Sequence, residues 1–70
     1  MADPFRATRR LIRAERKNRR QSQQAVADAI GMKRVVYSQM ENGPRKIMAL
    51  ELAALCEFWK VSYSTLFPTN

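Results

Sequence analysis

The stretch Ser22–Gly43 constrains this chain more than any other. It reads SQQAVADAIGMKRVVYSQMENG, and its two glycines, Gly31 and Gly43, each close a short helical pattern. The hydroxyl of Ser22 can cap the open backbone N–H groups of the turn that follows it. Val26, Ala27 and Ile30 then fall on one helical face. At Gly31 the backbone can turn left-handed at no steric cost. The pattern restarts after Met32, with Tyr37 and Met40 as its apolar stripe and Arg34, Val35, Ser38 and Gln39 on the outward face.

Seventy residues make a single domain, and a chain this short buries only about 60 % of its unfolded surface, so a second subunit would help it. No apolar run is long enough to span a membrane, and no signal-peptide pattern opens the chain. A lone cysteine, Cys56, forms no internal disulfide, and without histidine a zinc site is implausible. These features point to a cytoplasmic protein with no cofactor and no metal. The same lack of histidine, together with the absence of a glycine-rich phosphate loop or a triad, argues against an enzyme. The net charge of +7 calls for a polyanionic partner. Most of it sits in residues 1–20, where eight basic residues face only Asp3 and Glu15. The basic excess therefore flanks the Ser22–Gly43 stretch.

The remaining elements follow from punctuation and periodicity. Met1–Pro4 reads as a loose terminus, and Pro4 suits the first turn of a helix over Phe5–Asn18. Helices are expected over Gln23–Ile30, Arg34–Glu41, Ile47–Trp59 and Tyr63–Phe67, the last capped by Ser62 and stopped by Pro68. Met48, Leu52, Leu55, Cys56 and Trp59 form an amphipathic stripe on the fourth. The expected core is Ile12, Val26, Ala27, Ile30, Met32, Tyr37, Met40, Leu52, Leu55, Cys56, Trp59, Val61 and Leu66, in an all-α five-helix bundle. Phe58, Tyr63 and Phe67 cannot all fit inside it, and exposed aromatics together suggest an interface.

A helix, a tight turn and a second helix make the helix-turn-helix motif, whose second helix enters the major groove. The run Ser22-Gln23, Val26-Ala27, Ile30-Gly31, Tyr37 and Met40-Glu41-Asn42-Gly43 resembles the lambda-repressor-like, Cro-type helix-turn-helix family, and aligns with it without a gap over residues 16–62. The resemblance implies a structural ion pair between Arg16 and Glu41. It implies that Gln23 both meets a backbone phosphate and braces Arg34. It gives the loop residues Asn42, Arg45 and Lys46 to the phosphate backbone, and dimerisation to the C-terminal end. The chain departs from the family at Arg20, where glycine is usual, at Gln21, where leucine is usual, and at Ile47, where proline is usual. Arg20 would be strained in a left-handed turn, so this connection is where a longer first helix or a different turn is expected. Lys33 occupies a position where Ser or Thr commonly caps; lysine accepts no hydrogen bond and sets a cation against the positive end of the helix dipole. A local rule broken without structural gain is the mark of a functional position.

On this reading Arg34 makes a bidentate contact to guanine, Val35 meets thymine methyls, and Ser38 and Gln39 read the next turn. Gln23, Lys33, Asn42, Arg45 and Lys46 hold the DNA backbone. The function is then that of a sequence-specific, double-stranded-DNA-binding transcription regulator, a homodimer on a near-palindromic operator. A protein-interaction module, an antitoxin or anti-activator working through the C-terminal aromatics, stands beside it. An RNA-binding protein draws only on the charge and lacks a platform of exposed aromatics among the basic residues.

Overall fold

Tight left-handed closures end three of the helices and set the angles at which the next ones leave. The computed structural model describes residues 3–68. Its elements are α1 (Arg6–Asn18), α2 (Gln23–Ala29), α3 (Arg34–Asn42), α4 (Ala49–Trp59) and α5 (Tyr63–Leu66), with no strand among the described residues. The fold class is the expected all-α five-helix bundle. Of the segment expected to be loose, Met1 and Ala2 lie outside the described residues, and Asp3 is tied down. Its carboxylate accepts the Phe5 N–H at 2.9 Å and pairs with Arg9 Nε at 2.8 Å.

The α1–α2 connection keeps the tight turn despite its sequence. Arg20 adopts φ 57°, at a cost of about 1–2 kcal/mol for a residue with a Cβ. Two backbone bonds that close a helix end offset it: Gln21 N–H to Arg16 O at 3.1 Å and Arg20 N–H to Lys17 O at 3.0 Å. Gln21 replaces the apolar plug with a polar one, its Oε1 accepting the Trp59 indole N–H at 2.8 Å. The same pair of bonds recurs at Gly31, φ 75°, and at Lys60, φ 56°. Sequence reasoning, which looks for glycine, finds only Gly31 among the three.

Ile12, Val26, Ala27, Tyr37, Met40, Leu52, Leu55, Trp59 and Leu66 are buried as expected. Ile47 joins them, filling the position where the family has proline. Ile30, Met32, Cys56 and Val61 pack against this core only half-buried. Met48 drops out of the expected stripe: it is 55 % exposed, and its N–H is capped by Glu51 Oε1 at 3.0 Å, so α4 starts later than Ile47. Ser62 precedes α5, but its hydroxyl lies 3.1 Å from those of Ser64 and Thr65 and accepts no backbone N–H.

Candidate nucleic-acid interface

Ser22 Oγ accepts the Ala25 N–H at 3.0 Å and fixes the start of α2. The turn over Gly31–Lys33 then launches α3 with Lys33 as its uncapped first flank. Tyr37, Met40 and Glu41 point inward, while Lys33, Arg34, Val35, Gln39 and Asn42 are exposed and Val36 and Ser38 half-buried. Val35, a β-branched apolar side chain on a polar face, is 57 % exposed.

A polar chain runs from the interior to this face. Arg16 grips the buried Glu41 through two bonds, Nε to Oε2 at 2.8 Å and Nη2 to Oε1 at 2.9 Å, and its Nη1 donates to Gln21 O at 2.9 Å. The Glu41 side chain is 1 % exposed and that of Arg16 12 %. Burial opposes ionisation of Glu41, but the bonds from Arg16 and Gln23 outweigh it, and its pKa is lowered. Gln23 Nε2 donates to Glu41 Oε1 at 3.3 Å, and Gln23 Oε1 accepts from Arg34 Nη1 at 3.5 Å, the long limit for such a bond. Arg34 is thereby steered from one side yet keeps most of its donors. Tyr37 Oη is buried in the same region without a hydrogen bond, and burial first, then the Glu41 charge, raises its pKa.

The far end of α3 is held by a residue that sequence reasoning missed. Arg9 is 6 % exposed; its Nη1 donates to Met40 O at 2.7 Å and to Gln39 O at 3.3 Å, supplying donors to carbonyls in the last turn of α3. Its guanidinium also lies 5.7 Å from the Phe5 ring centroid, and bonding to Arg9, then to the Phe5 N–H, lowers the Asp3 pKa. A Cβ at Gly43, φ 90°, would sit 3.6 Å from Arg9 Nε. The signal was available: Arg9, Ile12 and Arg16 share the inward spacing of α1. Counted only as charge, Arg9 looked like one more surface arginine.

Together these residues form a helix-turn-helix with a polar, cationic outer face and a fixed inner one. The helix-turn-helix family model matches residues 12–66. The chain belongs to this family. No curated protein matches it. Its fold is lambda-repressor-like, and the family is one of DNA-binding transcription regulators.

Around this helix-turn-helix the other site residues are distributed unevenly. Asn42 accepts from Arg13 Nη1 at 3.1 Å and donates to Ser38 Oγ at 3.4 Å. Arg6, Arg10 and Arg13 line a shallow depression of about 250 Å³ with Asn42, extending the basic surface past the end of α3. Lys46 is exposed. Arg45 is not an unpaired cation: it makes two bonds to Glu51, at 2.8 and 2.7 Å, and braces the loop against α4. The three aromatics do not share one patch. Tyr63 and Phe67 pack together at 5.5 Å, with Phe67 against the core, while Phe58 lies in a groove between α2 and α4. Cys56 is half-buried, and burial pushes its thiol pKa up, away from nucleophilic use. No helix is long and apolar enough to cross a membrane among the described residues.

Proposed function

We propose that this helix-turn-helix protein is a sequence-specific, double-stranded-DNA-binding transcription regulator that occupies a near-palindromic operator as a homodimer in the cytoplasm. The observation that carries this is the outward face of α3, where Arg34 stands at the first turn, braced by Gln23 through the buried Glu41–Arg16 pair. Arg34 reads guanine with two donors, Val35 meets thymine methyls, and Ser38 and Gln39 read the adjoining bases. Lys33 and Lys46 meet phosphates, Gln23 and Asn42 add neutral donors, and Arg45, already paired with Glu51, chiefly shapes the loop. Arg6, Arg10 and Arg13 lengthen the phosphate track. Blocking polymerase at the operator is the simplest mode of action, and makes the protein a repressor.

Site selection on random duplexes tests this, followed by titration of the winning duplex at two salt concentrations. A two-fold symmetric motif bound about 10³-fold more tightly than random DNA is the expected outcome. Arg34→Ala should abolish the preference at one position of each half-site, and Lys46→Ala should weaken all sequences alike and lower the salt slope by about one per half-site. Recovery of no motif, with weak binding that vanishes as salt rises, would refute sequence-specific regulation. An Arg34→Ala variant that retained full function through a protein partner would favour the interaction-module reading instead.

A further inference from the structure

The side-chain amide of Asn42 is oriented from one side and orients a neighbour on the other. Arg9 and Arg16, one turn either way along α1 from Arg13, tie that helix to the last turn of α3. Arg13 is thereby set over Asn42, and its Nη1 donates to Asn42 Oδ1 at 3.1 Å. A guanidinium offers donors only. With its amide turned the other way, Asn42 would set N–H against N–H, so Arg13 decides the orientation. Asn42 Nδ2 then faces Ser38, one turn back on α3, and donates to its Oγ at 3.4 Å. A serine in mid-helix often returns its own proton to the carbonyl four residues earlier. Here Ser38 Oγ accepts within the protein, and among the described residues no acceptor takes its proton.

We propose that Arg13, acting through Asn42, makes Ser38 a hydrogen-bond donor to the DNA, so that Ser38 rejects cytosine at the base it faces. The proposal deepens the base reading given above to α3 and rests on it. In the major groove guanine presents O6 and N7 as acceptors, adenine N7 and thymine O4, whereas cytosine presents only its N4 amino donor. The free Ser38 proton is satisfied by any of the first three. Opposite cytosine, Ser38 would have to turn its remaining lone pair outward and leave that proton unpaired where water has been expelled, which is the expensive outcome for a polar group. Arg13 and Asn42 are positioning residues in this scheme: the discrimination is exercised by Ser38 alone. The second hydrogen of Asn42 Nδ2 stays available to a phosphate, so orienting Ser38 and holding the backbone do not compete.

Selection from random duplexes by the full chain tests this, with wild type run beside Ser38→Ala, Asn42→Asp and Arg13→Met. The wild-type motif should hold a position in each half-site, distinct from that of Arg34, where cytosine is disfavoured about tenfold. Ser38→Ala should level that position and no other. Asn42→Asp exchanges a donor for an acceptor, so the Ser38 proton turns inward to the carboxylate and cytosine should become the favoured base there. Arg13→Met frees the amide to turn and should weaken the rejection of cytosine without reversing it. A general loss of affinity cancels from these ratios, and Ser38→Ala and Arg13→Met, which add no negative charge, keep the test decisive if Asn42→Asp fails to bind. A motif with no position sensitive to Ser38→Ala, or one where Asn42→Asp still rejects cytosine, would overturn the proposal and leave base reading by Arg34 standing. Full rejection retained in Arg13→Met would overturn the part given to Arg13. Recovery of no motif by wild type would overturn the base-reading role of α3, and the proposal with it.

Discussion

Helices α3 and α4 each turn one face inward and one outward, but by opposite chemistry. The rear of α3 is fastened largely by charged groups: Arg16 on Glu41, and Arg9 on the Gln39 and Met40 carbonyls. Its front is polar and cationic. The rear of α4 is fastened chiefly by apolar packing, through Leu52, Leu55 and Trp59, with one polar anchor where Gln21 accepts the Trp59 indole N–H, and its front is largely apolar apart from Glu57. Polar fastening has strict geometry, because hydrogen bonds are directional, and so it holds α3, the helix proposed to read bases, in one orientation. Apolar packing is non-directional and fixes α4 through shape and burial instead. The two rears should therefore fail in different ways.

The largest effect separates the two fastenings by their response to pH. Removing the carboxylate by Glu41→Ala strands a partly buried Arg16, and should cost about 3–5 kcal/mol in urea denaturation at pH 7. That approaches the whole stability of a chain this size, roughly 4–10 kcal/mol. Leu55→Ala at the rear of α4 should cost about 2–5 kcal/mol through the cavity it leaves. The folded-state pKa of Glu41 is lowered from its ordinary 4.5. Its contribution is therefore fully present above that value and is lost as pH falls through the lower, folded pKa. The gap between wild type and Glu41→Ala should narrow below pH 4.5, whereas the Leu55→Ala gap persists as long as both proteins fold. Parallel pH profiles for the two variants would erase the distinction.

A smaller loss should follow from Arg9→Leu, which keeps the bulk of the side chain but leaves the carbonyls of Gln39 and Met40 without their donor. A cost of about 2–3 kcal/mol is expected by thermal denaturation. Hydrogen exchange should quicken first in the last turn of α3 and leave α4 protected; an even change across both helices would mean that Arg9 does not act locally.

Lys33→Ser should move stability and binding in opposite directions. A hydroxyl at the uncapped start of α3 gains about 1 kcal/mol, while duplex affinity falls because a cation beside the phosphates is gone. Gain in both would show that Lys33 has no part in the site. Smallest of all, Arg20→Gly should add roughly 0.5–1 kcal/mol by relieving the left-handed residue before α2, leaving both outer faces untouched. A loss of stability there would mean that the Arg20 side chain contributes more than its backbone costs.

Much of this protein was legible in its residues. The apolar spacing, Ser22, Gly31 and Gly43 placed the α2–α3 pair and its outward residues, because those signals act within one or two turns of chain. What lay across the fold was harder to read. Arg45 was assigned to DNA from its loop position, and only its closeness to Glu51 shows where its bonds go. Gln21 looked like the loss of an apolar plug until the Trp59 indole, far along the chain, proved to be its partner. Arg20 and Lys60 gave no turn signal because the reader looks for glycine, while the left-handed turn is held by backbone bonds that any residue can make.

The sequence by itself determined the helices, the helix-turn-helix and the charge that sets its partner class, since each depends on local backbone preference and on simple residue counts. Tertiary structure alone decided which arginines are tied into the fold and which stay exposed, and which side of the largely apolar α4 stays uncovered. Both depend on where distant segments come together. A charge or an apolar side chain carries no mark, in the linear chain, of whether folding will bury it.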